Sequence, residues 1–282
     1  MAEITPQMIK ELRERTGVGV AKCKEALEKS NGNLDQAIED LRKAGIASAI
    51  KKAERDTKEG QISFFENGPV IGIVEVNAET DFVVRNDRFQ EFLKNIAEEV
   101  AKSEPQSLES FLSQKYSKDP ALTIDQYRAT IVQVIGENIQ IKRVQTLRKN
   151  SNSSVGLYSH MGGKIVTAVE IEGAAGEEEL AKGIAMHVAA TDPNYLNPSK
   201  VPQEIIAQEK DIARTQMKGK PDNIIEKILT GKIESYYDQV CLNRQNYIRD
   251  DSKTIDAVVA ERAKAIGKSL ALANFIRWKV GQ

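Results

Sequence analysis

The sequence predicts an α+β protein. An N-terminal bundle of three helices is followed by a core built twice from the same parts, with a helical hairpin inserted in the second copy. Three observations carry that reading. Three short apolar stripes at helical spacing, each bounded by cap residues, fall within the first 45 residues. Residues 60–76 are echoed by residues 156–171, and a T-I-D…I-G segment recurs with identical spacing at 123–136 and 254–267. The second copy is longer by roughly forty residues, and the excess lies between Pro193 and Thr254.

In chain order, TPQMIKELRERTG opens on Thr5 as N-cap with Pro6 at the first helical position, places Met8, Ile9 and Leu12 on one face, and stops at Gly17. GVAKCKEALEKSNG follows, with Val20, Cys23, Ala26 and Leu27 on its apolar face and Gly32 as the stop. NLDQAIEDLRKAG begins on Asn33 with Gln36 three residues later, a capping-box pattern, and Gly45 is its expected end. These three helices resemble a ubiquitin-associated (UBA-like) bundle. IASAIKKAERDTKEG reads as a helix tail and linker ending at Gly60.

Each copy of the core then reads as hairpin, helix, helix, strand. The hairpins turn at Asn67-Gly68 and Gly162-Gly163. FLKNIAEEVA aligns with LAKGIAMHVA as the first helix, the T-I-D segments make the second, and ENIQIKRV and KSLALANFIRWKV make the last strands. Three strands with helices on one side give two small three-stranded antiparallel sheets. The boundaries expected are 1–55 for the helical module with its linker, 56–148 for the first subdomain, and 149–282 for the second. The inserted helical hairpin falls at about 202–240, its two helices joined at Gly219-Lys220-Pro221.

Composition narrows the function. A net charge of −1 and a pI near 6.3 argue against a general nucleic-acid binder, which carries a basic excess. No apolar run reaches the roughly 18 residues of a membrane span. No leader pattern precedes the first helix. The two cysteines, Cys23 and Cys241, read as reduced thiols, so the chain is expected to be soluble and cytoplasmic. No catalytic constellation is visible. The only histidines, His160 and His187, have no metal-ligand companion at helical spacing, no Cys neighbours a His, and TGVGVAKCK lacks the spacing of a phosphate loop. The expectation is a protein without covalent chemistry, cofactor or metal of its own.

One stretch stands out. ETDFVVRND, residues 79–87, joins a strand to a helix, yet carries Phe82 beside Asp81 where a bare turn would use Gly, Asn or Ser. Asp87 with Gln90 reads as the capping box of the helix that follows. From the residues alone Phe82 is open between a staple onto the core and a group that meets a partner. The helical module by itself would also suit an adaptor.

The ordered segments ELRERTGVGVAKCKEAL, EVNAETDFVVRND, IGENIQIKRV, GLYSHMGGKI and IAMHVAA resemble bacterial elongation factor Ts over nearly the whole chain. The resemblance implies a guanine nucleotide exchange factor for elongation factor Tu, binding its GDP-bound and nucleotide-free forms. It implies that the loop of Thr80, Asp81, Phe82 and Val83 carries the key contacts, the Phe entering between helices of the Tu G domain near the bound Mg²⁺. It points to Ile135, Gly136 and His160 as further partner contacts, and to Arg13, Val20 and Lys24 as the face that docks on a Tu helix. The inserted hairpin matches the family's projecting coiled coil. Complexes are expected to be one-to-one or dimers of such heterodimers. QNYIRDD (residues 245–251) departs from the family, with Asn246 where Pro is common and Tyr247 left to supply the aromatic.

Overall fold

The computed structural model describes residues 3–215 and 221–282. Helices α1 (Pro6–Thr16), α2 (Val20–Lys29) and α3 (Leu34–Lys52) form the N-terminal bundle. Thr5 Oγ1 accepts from the Met8 N–H at 3.3 Å, and Pro6 at the first position has no orphan N–H to satisfy. Asn33 Oδ1 accepts from the Gln36 N–H at 3.0 Å, but the expected capping box is only half made, because the Gln36 side chain turns forward to Asp40. Leu12, Val18, Cys23, Leu27, Ala37 and Leu41 close the bundle core.

Two expected boundaries shift. α2 stops at Lys29, and Gly32 takes φ 82 in the turn beyond it. Gly45 does not end α3, which continues through it to Lys52. A Cβ at Gly45 would lie 3.0 Å from Gln133 Oε1 and 3.5 Å from the Ala129 carbonyl. The glycine therefore lets α3 lie close on a later helix, a tertiary reason for a residue that costs about 1 kcal/mol of helix propensity.

The first core repeat runs β1 (Glu59–Asn67), β2 (Val70–Ala78), α4 (Asp81–Val84), α5 (Asp87–Ser103), α6 (Leu108–Ser113), β3 (Lys115–Tyr116), β4 (Asp119–Thr123), α7 (Ile124–Ile135) and β5 (Ile139–Arg148). Its sheet has the order β1-β2-β5, all antiparallel. β2 is buried along its whole length, as the central strand of a covered sheet should be. Asn67 still pairs with Val70, so the hairpin turns at Gly68-Pro69, one residue later than expected. α5 lies on β1 and β2, and Phe89, Phe92, Ile96 and Val100 enter the core beside Val74, Val76, Ile124 and Ile139. Tyr127 stacks on Tyr116 at 4.4 Å and meets the edge of Phe92 at 5.2 Å.

The second repeat runs β6 (Ser153–His160), β7 (Ile165–Glu172), α8 (Glu178–Thr191), α9 (Gln203–Thr215), α10 (Asp222–Val240), β8 (Asn246–Tyr247), β9 (Asp250–Thr254), α11 (Ile255–Ile266) and β10 (Ala271–Lys279). Its sheet order β10-β7-β6 again puts the second hairpin strand in the middle. α9 and α10 are the helices of the insert, closed by Ile206, Ile233, Ala213 and Leu229 and by an Arg214–Glu226 pair at 2.8 Å. Of the expected joint, Gly219 and Lys220 lie outside the described residues.

The repeat is longer than the sequence reading allowed. A miniature hairpin precedes the second helix in each copy: β3 with β4, and β8 with β9. QKYSKD (114–119) and QNYIRDD (245–251) occupy the same place. Tyr116 and Tyr247 are both buried, and the carbonyls of Gln114 and Gln245 accept from Ile124 and Ile255, each at 3.0 Å. Asn246 thus sits in a strand pair, and the family departure there leaves the local geometry like that of the first copy.

The chain divides into two compact units, Met1–Arg148 with Val280–Gln282, and Lys149–Lys279. Among the described residues no helix is long and apolar enough to cross a membrane.

Candidate functional site

The 79–87 stretch is built by three neighbours in the first unit. β2 delivers Thr80 in extended conformation, and Thr80 Oγ1 caps a single turn of helix by accepting from the Val83 N–H at 3.3 Å. The expected loop is therefore a helical turn, α4. Its apolar residues divide sharply. Val83 and Val84 are buried in the core, whereas Phe82 is 82 % exposed. Burying a Phe contributes about 2–3 kcal/mol, and the fold leaves that unused here. The staple at this turn is the valine pair, and Phe82 points outward.

The cap beyond the turn also differs from expectation. Asn86 is the N-cap of α5, its side chain accepting from the Arg88 N–H at 2.9 Å, and Asp87 is the first helical residue. The Asn86 N–H closes α4 by donating to the Val83 carbonyl at 3.0 Å, which places Asn86 rather than Asp87 at the boundary. Gln90 still holds the turn, donating to the Val84 carbonyl at 2.6 Å. Asp81 pairs with Arg85 across one turn at 3.3 Å.

A segment more than fifty residues away completes the site. α7 ends at Ile135, and Gly136 takes the left-handed conformation (φ 93) that releases the chain into Glu137. Glu137 Oε2 accepts from the Thr80 N–H at 3.0 Å and Oε1 from the Thr80 hydroxyl at 2.8 Å. The Asn138 N–H donates to Glu79 Oε1 at 2.6 Å, and Arg55 reaches the same oxygen at 3.3 Å. The structure thereby brings Ile135 and Gly136 together with Thr80, Asp81, Phe82 and Val83. Glu79, Glu137 and Arg55 were not singled out in the sequence. Acids and arginines are frequent in this chain, and no spacing rule links partners so far apart.

Arg13, Val20 and Lys24 line one groove of about 940 Å³ in the first unit, with Ile9, Arg88 and Ile131. Val20 is 52 % exposed there. His160 belongs to the second unit, at the end of β6, where its Nδ1 lies 3.0 Å from the Tyr158 hydroxyl and the next residue, Met161, is exposed.

His187, by contrast, is fully buried. Its Nδ1 accepts from the Ile248 N–H at 3.3 Å, which leaves Nε2 to donate to Gln245 Oε1 at 3.0 Å. Burial holds its pKa below the usual imidazole value, against the opposing pull of the Gln245 bond. The cysteines are equally enclosed: burial pushes the Cys23 thiol up and the Cys241 thiol up to about 11, the reverse of what a reactive thiolate needs. Among the described residues no group of three His, Cys, Asp or Glu is placed to hold a metal ion.

Comparison with known proteins agrees with the resemblance read from the sequence. The family model described as Elongation factor TS matches residues 79–282, well over half of the chain. The chain is 64% identical over 282 residues to Elongation factor Ts of Protochlamydia amoebophila (strain UWE25), covering all of both chains. It is 42% identical over 281 residues to Elongation factor Ts of Chlamydia caviae and, again at 42%, to that of Chlamydia muridarum, with full coverage on both sides. With the family model and full-length relatives in agreement, the chain belongs to the elongation factor Ts family.

Proposed function

We propose that this chain is a guanine nucleotide exchange factor for elongation factor Tu that works by presenting Phe82 as a wedge. The family carries the general activity, exchange without covalent chemistry. The observation that supports the wedge is the exposure of Phe82 on a turn whose other apolar residues are buried. A Phe has few rotatable bonds, so inserting it removes a large apolar area from water at low entropic cost. Thr80, Asp81 and Phe82 would enter the Tu G domain near its Mg²⁺, with Ile135 and Gly136 beside them, whereas Val83, buried in the core, would hold the turn from behind rather than meet the partner. Arg13, Val20 and Lys24 would dock on a Tu helix, and His160 would meet Tu from the second unit. Displacing the elements that hold Mg²⁺ removes the charge that neutralises the diphosphate, and GDP leaves.

Exchange of this kind is linkage. Whatever factor the chain takes from the affinity of Tu for GDP, GDP must take from the affinity of Tu for the chain. The test is to follow release of a fluorescent GDP analogue from elongation factor Tu with and without the chain, and to measure the affinity of the chain for GDP-bound and nucleotide-free Tu. Faster release together with matching reciprocal factors is expected. Unchanged release in the presence of the chain would refute the reading.

A further inference from the structure

We infer that Glu137 is a positioning residue for the turn that presents Phe82, acting through Thr80 rather than by meeting the partner itself. Its consequence for exchange rests on the function proposed above; its consequence for the turn does not.

α4 has four residues, far fewer than the roughly twelve an isolated helix needs. Its shape must come from what holds its two ends. The C-terminal end is held by burial of Val83 and Val84 and by the Asn86 N–H on the Val83 carbonyl. The N-terminal end is held by one carboxylate. Both Glu137 oxygens are taken by Thr80, one by its N–H at 3.0 Å and one by its hydroxyl at 2.8 Å. A hydroxyl has a single hydrogen. With that hydrogen committed to Glu137, a lone pair of Thr80 Oγ1 is left to face the Val83 N–H, 3.3 Å away. A hydroxyl that donates to a carboxylate is also a better acceptor. One side chain therefore sets the backbone of Thr80, its rotamer, and through Val83 the pitch of the turn on which Phe82 stands.

Glu137 is itself well held. Gly136 fixes the path into it, and Asn138 behind it donates from its N–H to Glu79 and from its side chain to the Arg55 carbonyl at 2.9 Å. The clasp thus ties the Phe82 turn to the Ile135-Gly136 segment, so that the two are presented in one geometry.

The test uses the full chain and two readouts: release of a fluorescent GDP analogue from elongation factor Tu, and hydrogen exchange of the amides of residues 80–85 in the chain alone. Glu137→Ala should slow stimulated release about tenfold, the effect of a lost charged hydrogen bond. The same change made on Phe82→Ala should cost less than about twofold, because the two residues act as one unit. Thr80→Val should reproduce the loss, and Thr80→Ser, which keeps the hydroxyl, should lose less than Thr80→Val does. In Glu137→Ala and Thr80→Val the 80–85 amides should exchange faster while β2 and α5 keep their protection. Multiplying losses in the double variant would overturn the inference, since Glu137 would then act on the partner independently. Unchanged exchange at 80–85 would overturn it as well. If the intact chain fails to stimulate release, the proposed function falls, and the hydrogen exchange still decides the positioning role.

Discussion

At the scale of single residues, exposure runs against side-chain type at two positions. Phe82 is left in water although it adjoins two buried valines. Its unusual setting was legible in the sequence as an aromatic in a strand-to-helix connection. Its exposure was not, because a staple and a wedge have the same local pattern and differ only in which neighbour fills the core. His187 is the opposite case, a titratable ring enclosed and bonded at both nitrogens. Residue for residue it stands where Glu99 stands in the first copy. Glu99 is also buried, and it accepts from the Ser117 N–H at 3.2 Å, the counterpart of the Ile248 N–H. In both copies a buried acceptor on the first helix holds the miniature hairpin. A protonated His187 could not accept from Ile248. Its folded pKa lies below the unfolded value, so its contribution to stability is fully present above about pH 6.5 and is lost as pH falls through the folded pKa. Melting of the chain between pH 7.5 and 5.5 should therefore show a drop that His187→Gln flattens. A variant with the same pH dependence as the parent would contradict the assignment.

At the scale of elements, what could be read was what is local. The caps Thr5 and Asn33 sit where the sequence places them, Thr123 and Thr254 at the head of the repeated T-I-D segments prove to be caps as well, and Gly17, Gly136 and Gly267 close their helices in the left-handed conformation. What could not be read depends on distant chain. Gly45 looked like a stop because nothing nearby reveals that Gln133 lies against it. The two-residue strands β3 and β8 carry no periodicity, although the Q-x-Y-x-x-D pattern shared by 114–119 and 245–250 would have revealed the hairpins. The same distinction governs the sheet-to-helix packing. Gly72 of β2 lies against the backbone of Ala101 in α5, and Gly156 of β6 against the backbone of Ala181 and Lys182 in α8; a Cβ at either would collide with main chain. Main chain cannot swing aside as a side chain can. Gly72→Ala and Gly156→Ala should each destabilise by about 3 kcal/mol, read as a lower urea midpoint. Loss below about 0.5 kcal/mol in either would mean that the helix shifts freely on the sheet.

At the scale of the whole molecule, the duplicated core was plain from the repeats, whereas the extent of the N-terminal module was not. α3 is shared. Its first half closes the bundle through Ala37 and Leu41, and its second half joins the core of the first unit through Ile46 and Ala49, with Arg42 paired to Asp119 at 3.2 Å. Removing residues 1–32 should accordingly weaken binding to elongation factor Tu while the core still folds. Removing residues 1–52 should in addition cost the core about 2 kcal/mol, the scale of emptying apolar side chains from a packed site. Equal melting of the two truncated chains would show that α3 adds nothing to the core. The core of the first unit thus holds Phe82, exposed, in a fixed direction on a turn whose valines are buried. The measurement that tests it most directly pairs stimulated GDP release with thermal melting for Phe82→Ala. The account predicts that the variant loses most of the stimulation, about thirtyfold or more as for a buried interface anchor, with its melting unmoved. A variant that melts lower and still stimulates release would contradict it, and would make Phe82 a part of the core after all.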